Sequence, residues 1–167
     1  KIKGRTVSQN KELDDFILRR SDGAPTYNFV CVVDDLDMDI SLVLRGDDHL
    51  NNTPKQVLLY QALGKESPDF AHVPMILGDD GKRLSKRHGA TAVGLYQEMG
   101  IVKEALFNYL TRLGWACGDM EIFTPAEVIE VFALSQINKA GAKWDMQKLL
   151  WCNQQWMIRL SLDDLVE

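Results

Sequence analysis

The run from Ile40 to Leu77 constrains the fold most. Ile40 to Leu44 is a short apolar-rich stretch that reads as a buried strand. Thr53-Pro54 then predicts a helix start, with threonine as the cap and proline at the first helical position. Gln56, Val57, Leu58, Tyr60, Ala62 and Leu63 carry that helix to Gly64, a natural terminator. Beyond Pro68 and Phe70-Ala71, His72 to Leu77 reads as a second short buried strand. Strand, helix, strand in this order predicts a parallel crossover, half of a doubly wound α/β fold. Arg45-Gly46-Asp47-Asp48-His49 follows the first strand directly. Open α/β sheets bind ligands beyond the carboxyl ends of their strands. The charged run is therefore either a ligand site or a hydrated loop.

The second strand leads into Gly81-Lys82-Arg83-Leu84-Ser85-Lys86-Arg87-His88-Gly89. Four cations, Lys82, Arg83, Lys86 and Arg87, fall in six positions between two glycines. Such a loop can close over phosphates: glycine lets the backbone bend, cations meet negative charge, and Ser85 adds a hydroxyl. A solvated turn has the same composition. The net charge of -5 excludes a surface that is basic all over, so any nucleic-acid contact must come from a local patch of this kind. Cys31, Cys117 and Cys152 are far apart and form no CxxC pair, so they predict neither a zinc site nor a disulfide framework. A reducing cytoplasm is the default setting. No apolar run suggests a membrane span. The chain opens on Lys1 without a methionine and reads as a piece of a longer protein.

Around this centre the pattern is mixed. Phe16-Ile17-Leu18, before Arg19-Arg20-Ser21-Asp22-Gly23, predicts a short strand ending in a turn. Between Thr26 and Met38, Tyr27, Val30, Cys31 and Leu36 fit helical spacing, while Phe29 to Val33 would also fit a buried strand. Helix is preferred, although Asp34-Asp35 would sit at its unfavourable end. After Gly89 everything reads as helix: Val93 to Met99, Val102 to Leu113, a segment from Thr124-Pro125 through Phe132, and Trp144 to Ile158. Leu106, Tyr109, Leu110 and Leu113 are expected on one face of the second of these. The fold class is thus α/β followed by an all-α module.

Three stretches, in order, carry a resemblance. They are Pro25-Thr26-Tyr27-Asn28-Phe29, then Leu44-Arg45-Gly46-Asp47-Asp48-His49-Leu50-Asn51-Asn52-Thr53-Pro54, then Arg83-Leu84-Ser85-Lys86-Arg87. Together they resemble the second half of the catalytic core of bacterial-type glutamyl-tRNA synthetases, which are class I enzymes. Trp144-Asp145 through Leu150-Trp151-Cys152-Asn153 resembles the stem-contact region of the same family. The resemblance implies the end of an acceptor-binding insertion over residues 1–22, the second half of a Rossmann-type catalytic domain over 23–90, and a helical stem-contact domain over 91–167.

The implied chemistry is activation of glutamate by ATP with Mg²⁺, then transfer to the terminal adenosine of tRNA(Glu). By position, Arg83 to Arg87 resembles the second class I signature, usually Lys-Met-Ser-Lys-Ser, with Arg83, Leu84 and Arg87 as the replacements. Lys86, with Arg83, is the implied catalytic group, stabilising charge on the leaving pyrophosphate. The resemblance places Asp48, Ile76, Leu77, Arg83, Leu84, Ser85, Lys86 and Arg87 at ATP: Asp48 at the ribose, and Ile76 and Leu77 at adenine through backbone groups. It places Tyr27, Asn28, Cys31 and Arg45 at glutamate, with Cys31 standing where a small or polar residue is usual. No protein metal ligand is implied. His49 and His72 read as structural and the tryptophans as helix packing. The first class I signature, resembling His-Ile-Gly-His, is not in these residues, so the chain by itself is expected to be inactive and its parent to be a cytoplasmic monomer. Within the class, a glutamyl-queuosine tRNA(Asp) synthetase is the alternative, and a glutaminyl enzyme suits Arg45 less well. Outside it, the alternative is a non-catalytic tRNA-binding fragment.

Overall fold

The computed structural model describes residues 2–4, 7–85 and 92–166. Lys86 and Arg87, the last two cations of the basic loop, lie outside the described residues. The chain divides into two compact units, Lys1–Val73 and Pro74–Glu167. No described helix is long and apolar enough to cross a membrane.

In the first unit, helix α1 spans Tyr27–Asp37, strand β1 Leu42–Gly46, helix α2 Thr53–Ala62 and strand β2 Asp69–Val73. The strands pair in parallel, from Leu42 opposite Asp69 to Gly46 opposite Val73, with α2 as the crossover. The helix reading of 26–38 holds. Val32 is fully buried against Leu59 and Tyr60, with Phe16, Phe29, Leu36 and Phe70 around them. The acidic end of α1 is tolerated because the Tyr60 hydroxyl donates to Asp35 Oδ2 at 3.2 Å. Asp39 then takes φ +51 and closes the helix, while the Ile40 N–H reaches back to the Asp35 carbonyl. Aspartate tolerates this left-handed position better than most residues.

Three expectations shift. Phe16–Leu18 does not form a strand. The Thr26 N–H donates to the Leu18 carbonyl and the Thr26 hydroxyl to the Ile17 carbonyl, so the segment is tied to the start of α1, and the strand-like pairing beside it among the described residues is a single bridge of Arg19 with Pro25. The second strand is Asp69–Val73, earlier than His72 to Leu77. Pro74 has no N–H to donate and ends the ladder. Asn52, not Thr53, is the cap residue of α2, and the Thr53 side chain is used elsewhere. Gly64 ends α2 as expected, at φ +66, with the Lys65 N–H bonded to the Tyr60 carbonyl and the Gly64 N–H to that of Gln61.

The second unit begins with a hairpin. Gly78 N–H donates to the Lys82 carbonyl, and Leu84 N–H to that of Ile76, each at 2.8 Å. The turn between them closes from Gly81 N–H to the Gly78 carbonyl, with Gly81 at φ +73. Leu77 also pairs with 142–144, donating to the Ala142 carbonyl and accepting from the Trp144 N–H. A side chain at Gly141 would meet the Met75 carbonyl at 2.8 Å, so this close approach requires glycine.

Helices α3 (Val93–Glu98), α4 (Lys103–Gly114), α5 (Pro125–Val131), α6 (Met146–Met157) and α7 (Leu162–Val166) follow. Helices α4 and α6 pack through Ala105, Leu106, Tyr109, Leu149, Cys152 and Trp156. Leu110 turns outward, 41% exposed, unlike the face expected for it. Trp144 meets the Tyr109 ring edge-on at 4.9 Å between centroids, which ties the segment beside the hairpin to the helical core. Thr124 and Glu127 form the reciprocal cap of α5, and Asp145 caps α6 by accepting from the N–H groups of Gln147 and Lys148.

Candidate functional site

Arg45 stands near the carboxyl end of β1, at the centre of a polar cluster in the first unit. Its Nη2 donates to Gln56 Oε1 at 2.8 Å, to Thr53 Oγ1 at 3.0 Å and to the His49 carbonyl at 3.5 Å. Its Nε lies 3.4 Å from His72 Nε2, and the guanidinium sits 5.4 Å from the centre of the Phe70 ring. A guanidinium has only donors, so His72 Nε2 must accept and the proton belongs on Nδ1. The Thr53 hydroxyl then accepts from Arg45 and donates to His72 Nε2 at 3.1 Å. Burial, and then the Arg45 cation, lower the His72 pKa and favour this neutral ring. All these partners of Arg45 are uncharged, so the cation is held in place without an opposing anion among them.

The residues of α1 come to the same cluster. Gln56 Nε2 donates to Asn28 Oδ1 at 3.2 Å, completing a chain from Arg45 through Gln56 to Asn28. Tyr27 is half exposed, and its hydroxyl lies 3.2 Å from His49 Nδ1. Asn52 Nδ2 lies at the same distance from that nitrogen; as the amide donates, the ring nitrogen accepts and the Tyr27 hydroxyl donates too. Burial raises the Tyr27 phenol above its ordinary 10.0, Cys31 adds to the rise, and Arg45 opposes it. A phenol so raised stays protonated and serves as a hydrogen-bonding group. Tyr27, Asn28, Cys31 and Arg45 thus share one neighbourhood. Its chemistry suits a carboxylate: a cation whose hydrogen-bond partners are neutral, a phenol and polar amides.

Asp48 is exposed in the turn after β1, with its carboxylate 3.9 Å from His49 Nε2. Asp47, beside it, pairs with Lys3 at 2.9 Å. The other nucleotide candidates lie in the second unit. Ile76 and Leu77 form one arm of the hairpin, and Arg83 and Leu84 the other. The Ile76 carbonyl accepts from Leu84, and both main-chain groups of Leu77 are bonded to 142–144. Lys82 and Arg83 are exposed, and Ser85 is half-buried at the edge of the described residues. The hairpin gives the basic loop a fixed base, with the Asp80 carboxylate accepting from the Lys82 N–H at 2.9 Å.

Sequence reasoning missed Gln56, Thr53 and Phe70. Gln56 looked like one position of a helix face, Thr53 like a cap, and Phe70 like a lead-in to a strand. The available signal for Gln56 was a polar residue between Pro54 and the apolar run Val57-Leu58-Leu59-Tyr60, on a helix returning to the sheet.

The first unit thus carries a parallel β–α–β crossover with an arginine near the carboxyl end of β1, and the second unit a hairpin with Lys82 and Arg83 on it. Residues 1–151 match the family described as tRNA synthetases class I (E and Q), catalytic domain, and the chain belongs to that family. More particularly, it is similar to glutamate–tRNA ligases. It is 60% identical over 159 residues to glutamate–tRNA ligase 1 of Alkalilimnicola ehrlichii, covering 95% of this chain and 34% of that protein. It is 58% identical over 165 residues to the glutamate–tRNA ligase of Syntrophobacter fumaroxidans, covering 99% and 35%. The crystal structure of a glutamate tRNA ligase from Elizabethkingia meningosepticum in complex with its amino acid matches with a TM-score of 0.83 and 38% identity, over 90% of this chain and 34% of that one. The chain spans about a third of the length of the curated relatives it matches.

Proposed function

We propose that this chain is part of a longer glutamate–tRNA ligase and carries the second half of its active site. The observation that supports this most is Arg45: a cation beside Tyr27, held by Gln56, Thr53 and His72 with no anion among those partners. That arrangement suits the carboxylate of L-glutamate. The glutamate–tRNA ligase relatives support this reading over a glutamyl-queuosine tRNA(Asp) synthetase or a non-catalytic tRNA-binding fragment. The proposed organisation is an acceptor-binding end over 1–22, catalytic core over 23–90 and stem-contact helices over 91–167. The working protein is taken to be a cytoplasmic monomer.

The reaction needs alignment more than acid–base chemistry. A glutamate α-carboxylate oxygen attacks the α-phosphorus of Mg²⁺–ATP, and pyrophosphate leaves. A ribose hydroxyl at the 3′ end of tRNA(Glu) then attacks the carbonyl of the mixed anhydride, and AMP leaves. Tyr27, Asn28, Cys31 and Arg45 bind and orient glutamate. Asp48 binds the ATP ribose, and Ile76 and Leu77 flank adenine. Arg83, Leu84, Ser85, Lys86 and Arg87 cover the phosphates, with Lys86 and Arg83 stabilising charge on the departing pyrophosphate. The 167-residue chain alone is inactive.

Glutamate-dependent ATP–pyrophosphate exchange by the longer protein, with and without tRNA(Glu), tests this. Exchange that falls by about a hundredfold or more in Lys86→Ala is expected, the scale of losing one preorganised charge-stabilising group. Absence of exchange in both conditions overturns the reading.

A further inference from the structure

We infer that the first unit holds a further small-molecule site: a cavity between α2, β2 and the residues Lys3, Gly4, Ser8 and Asn10 that takes a small planar aromatic ligand carrying a hydrogen-bond acceptor. Tyr27, Asn28, Cys31 and Arg45 do not line this cavity, so its occupancy does not depend on the glutamate-binding reading. Its volume is about 380 Å³. Small-molecule sites run from about 300 to 1,000 Å³ and are mostly apolar, with a few placed polar groups.

The wall follows from how α2 divides its faces. Leu59 and Tyr60 pack on Val32 and make the core of the unit. Pro54, Val57, Leu58 and Gln61, at three- and four-residue spacing, fall on another face and line the cavity. From β2 come Phe70 and His72, two residues apart and so on one side of the strand. Their rings lie within 11° of parallel, with 6.4 Å between centres. Flat faces of this kind favour a flat ligand.

His72 turns this apolar space into a site. It is 5% exposed and lines the cavity. Its Nε2 is taken by Arg45 and Thr53, which puts the ring proton on Nδ1. Among the described residues no group accepts from Nδ1, and that nitrogen is not sealed off by protein either. The acceptor it needs must therefore enter through the cavity. Water meets the donor but leaves Pro54, Val57, Leu58 and Phe70 wet. A ring with an acceptor on its edge meets the donor and covers the apolar wall together. Such a ligand also bears on Arg45: a bond to Nδ1–H holds His72 in the tautomer whose Nε2 accepts from the guanidinium.

The test is saturation-transfer NMR on the longer protein at neutral pH, with ATP and glutamate present so that the probe is not drawn to their sites. Isoquinoline is the probe, and indole, of similar size, is its comparison: the isoquinoline nitrogen accepts, whereas the indole nitrogen only donates. Isoquinoline should bind with a Kd of about 1 mM or tighter, and indole about tenfold more weakly, the scale of one buried hydrogen bond. Val57→Trp, which fills the cavity, should weaken isoquinoline binding by about tenfold or more. Equal binding of the two probes, or no isoquinoline binding below about 10 mM, leaves water as the only occupant and overturns the inference. Binding that survives Val57→Trp, in a protein shown to be folded by circular dichroism, overturns it as well. The comparison of probes on the unaltered protein needs no variant, so it decides even if Val57→Trp does not fold. Either result leaves the ligase reading untouched, because exchange activity is not the readout.

Discussion

Asn108→Ala should be the most damaging single polar-to-apolar change in the helical core. Asn108 is 1% exposed on α4 and holds three groups at once. Its Nδ2 donates to the Glu121 carbonyl at 2.9 Å. Its Oδ1 accepts from the Phe123 N–H at 3.1 Å and from Trp156 Nε1 at 3.0 Å. One side chain therefore joins α4 to the loop before α5 and to α6. Alanine leaves two buried donors without an acceptor, each costing about 1–3 kcal/mol. A water filling part of the vacated space would recover some of that, so a loss of about 3 kcal/mol is expected. At about 2–4 °C per kcal/mol, the melting temperature should fall by about 6–12 °C. Tryptophan fluorescence is the appropriate probe, because all four tryptophans (Trp115, Trp144, Trp151 and Trp156) lie in the unit that contains Asn108. Asn138→Ala serves as the comparison: that side chain is exposed and reaches the Leu113 carbonyl only at 3.5 Å, so its removal should cost about 0.5 kcal/mol or less. A loss below about 1 kcal/mol for Asn108→Ala would refute the view that this amide organises the unit.

Two further outcomes follow from single side chains. Burial pushes the Cys152 thiol up to about 11, so an alkylating reagent at neutral pH should modify the half-buried Cys31 and Cys117 and spare Cys152 until the protein unfolds, as read by mass spectrometry. The hydrogen bond from Lys148 holds the Glu121 carboxyl below its ordinary 4.5, with Arg112 adding to the effect. A depressed folded value means that the unfolded chain binds the proton first. Stability from this group is therefore present above 4.5 and is lost as pH falls through the folded value. Urea unfolding across that range should show a small loss that Glu121→Gln removes, small because the side chain keeps 40% of its surface in solvent, which screens the pair.

How much of this was legible depends on what kind of residue carried the signal. Thr53-Pro54 and Gly64 marked α2 because proline and glycine act through backbone geometry, which neighbours rarely override. Phe16-Ile17-Leu18 misled because strand propensity is a statement about neighbours, and among the described residues no partner strand lies alongside. The second strand came early because Pro74 stops the ladder and the next residues pair within the hairpin instead. At the candidate site the charge was readable: Arg45 near the end of a strand and Tyr27 at the start of a helix. Their neutral partners were not. Gln56, Thr53 and His72 are ordinary residues whose roles depend on which face of α2 or β2 meets Arg45 across the crossover. That asymmetry has a physical reason. A cation can be recognised by type, but a cation kept ready for a ligand is defined by the absence of a countercharge, and that absence is a property of three-dimensional packing. Had a glutamate occupied position 56, Arg45 would look more stably held and would be a poorer site for a carboxylate, since breaking an internal ion pair would then precede every binding event. The uncharged amide at Gln56 fixes the arginine without placing a countercharge against it.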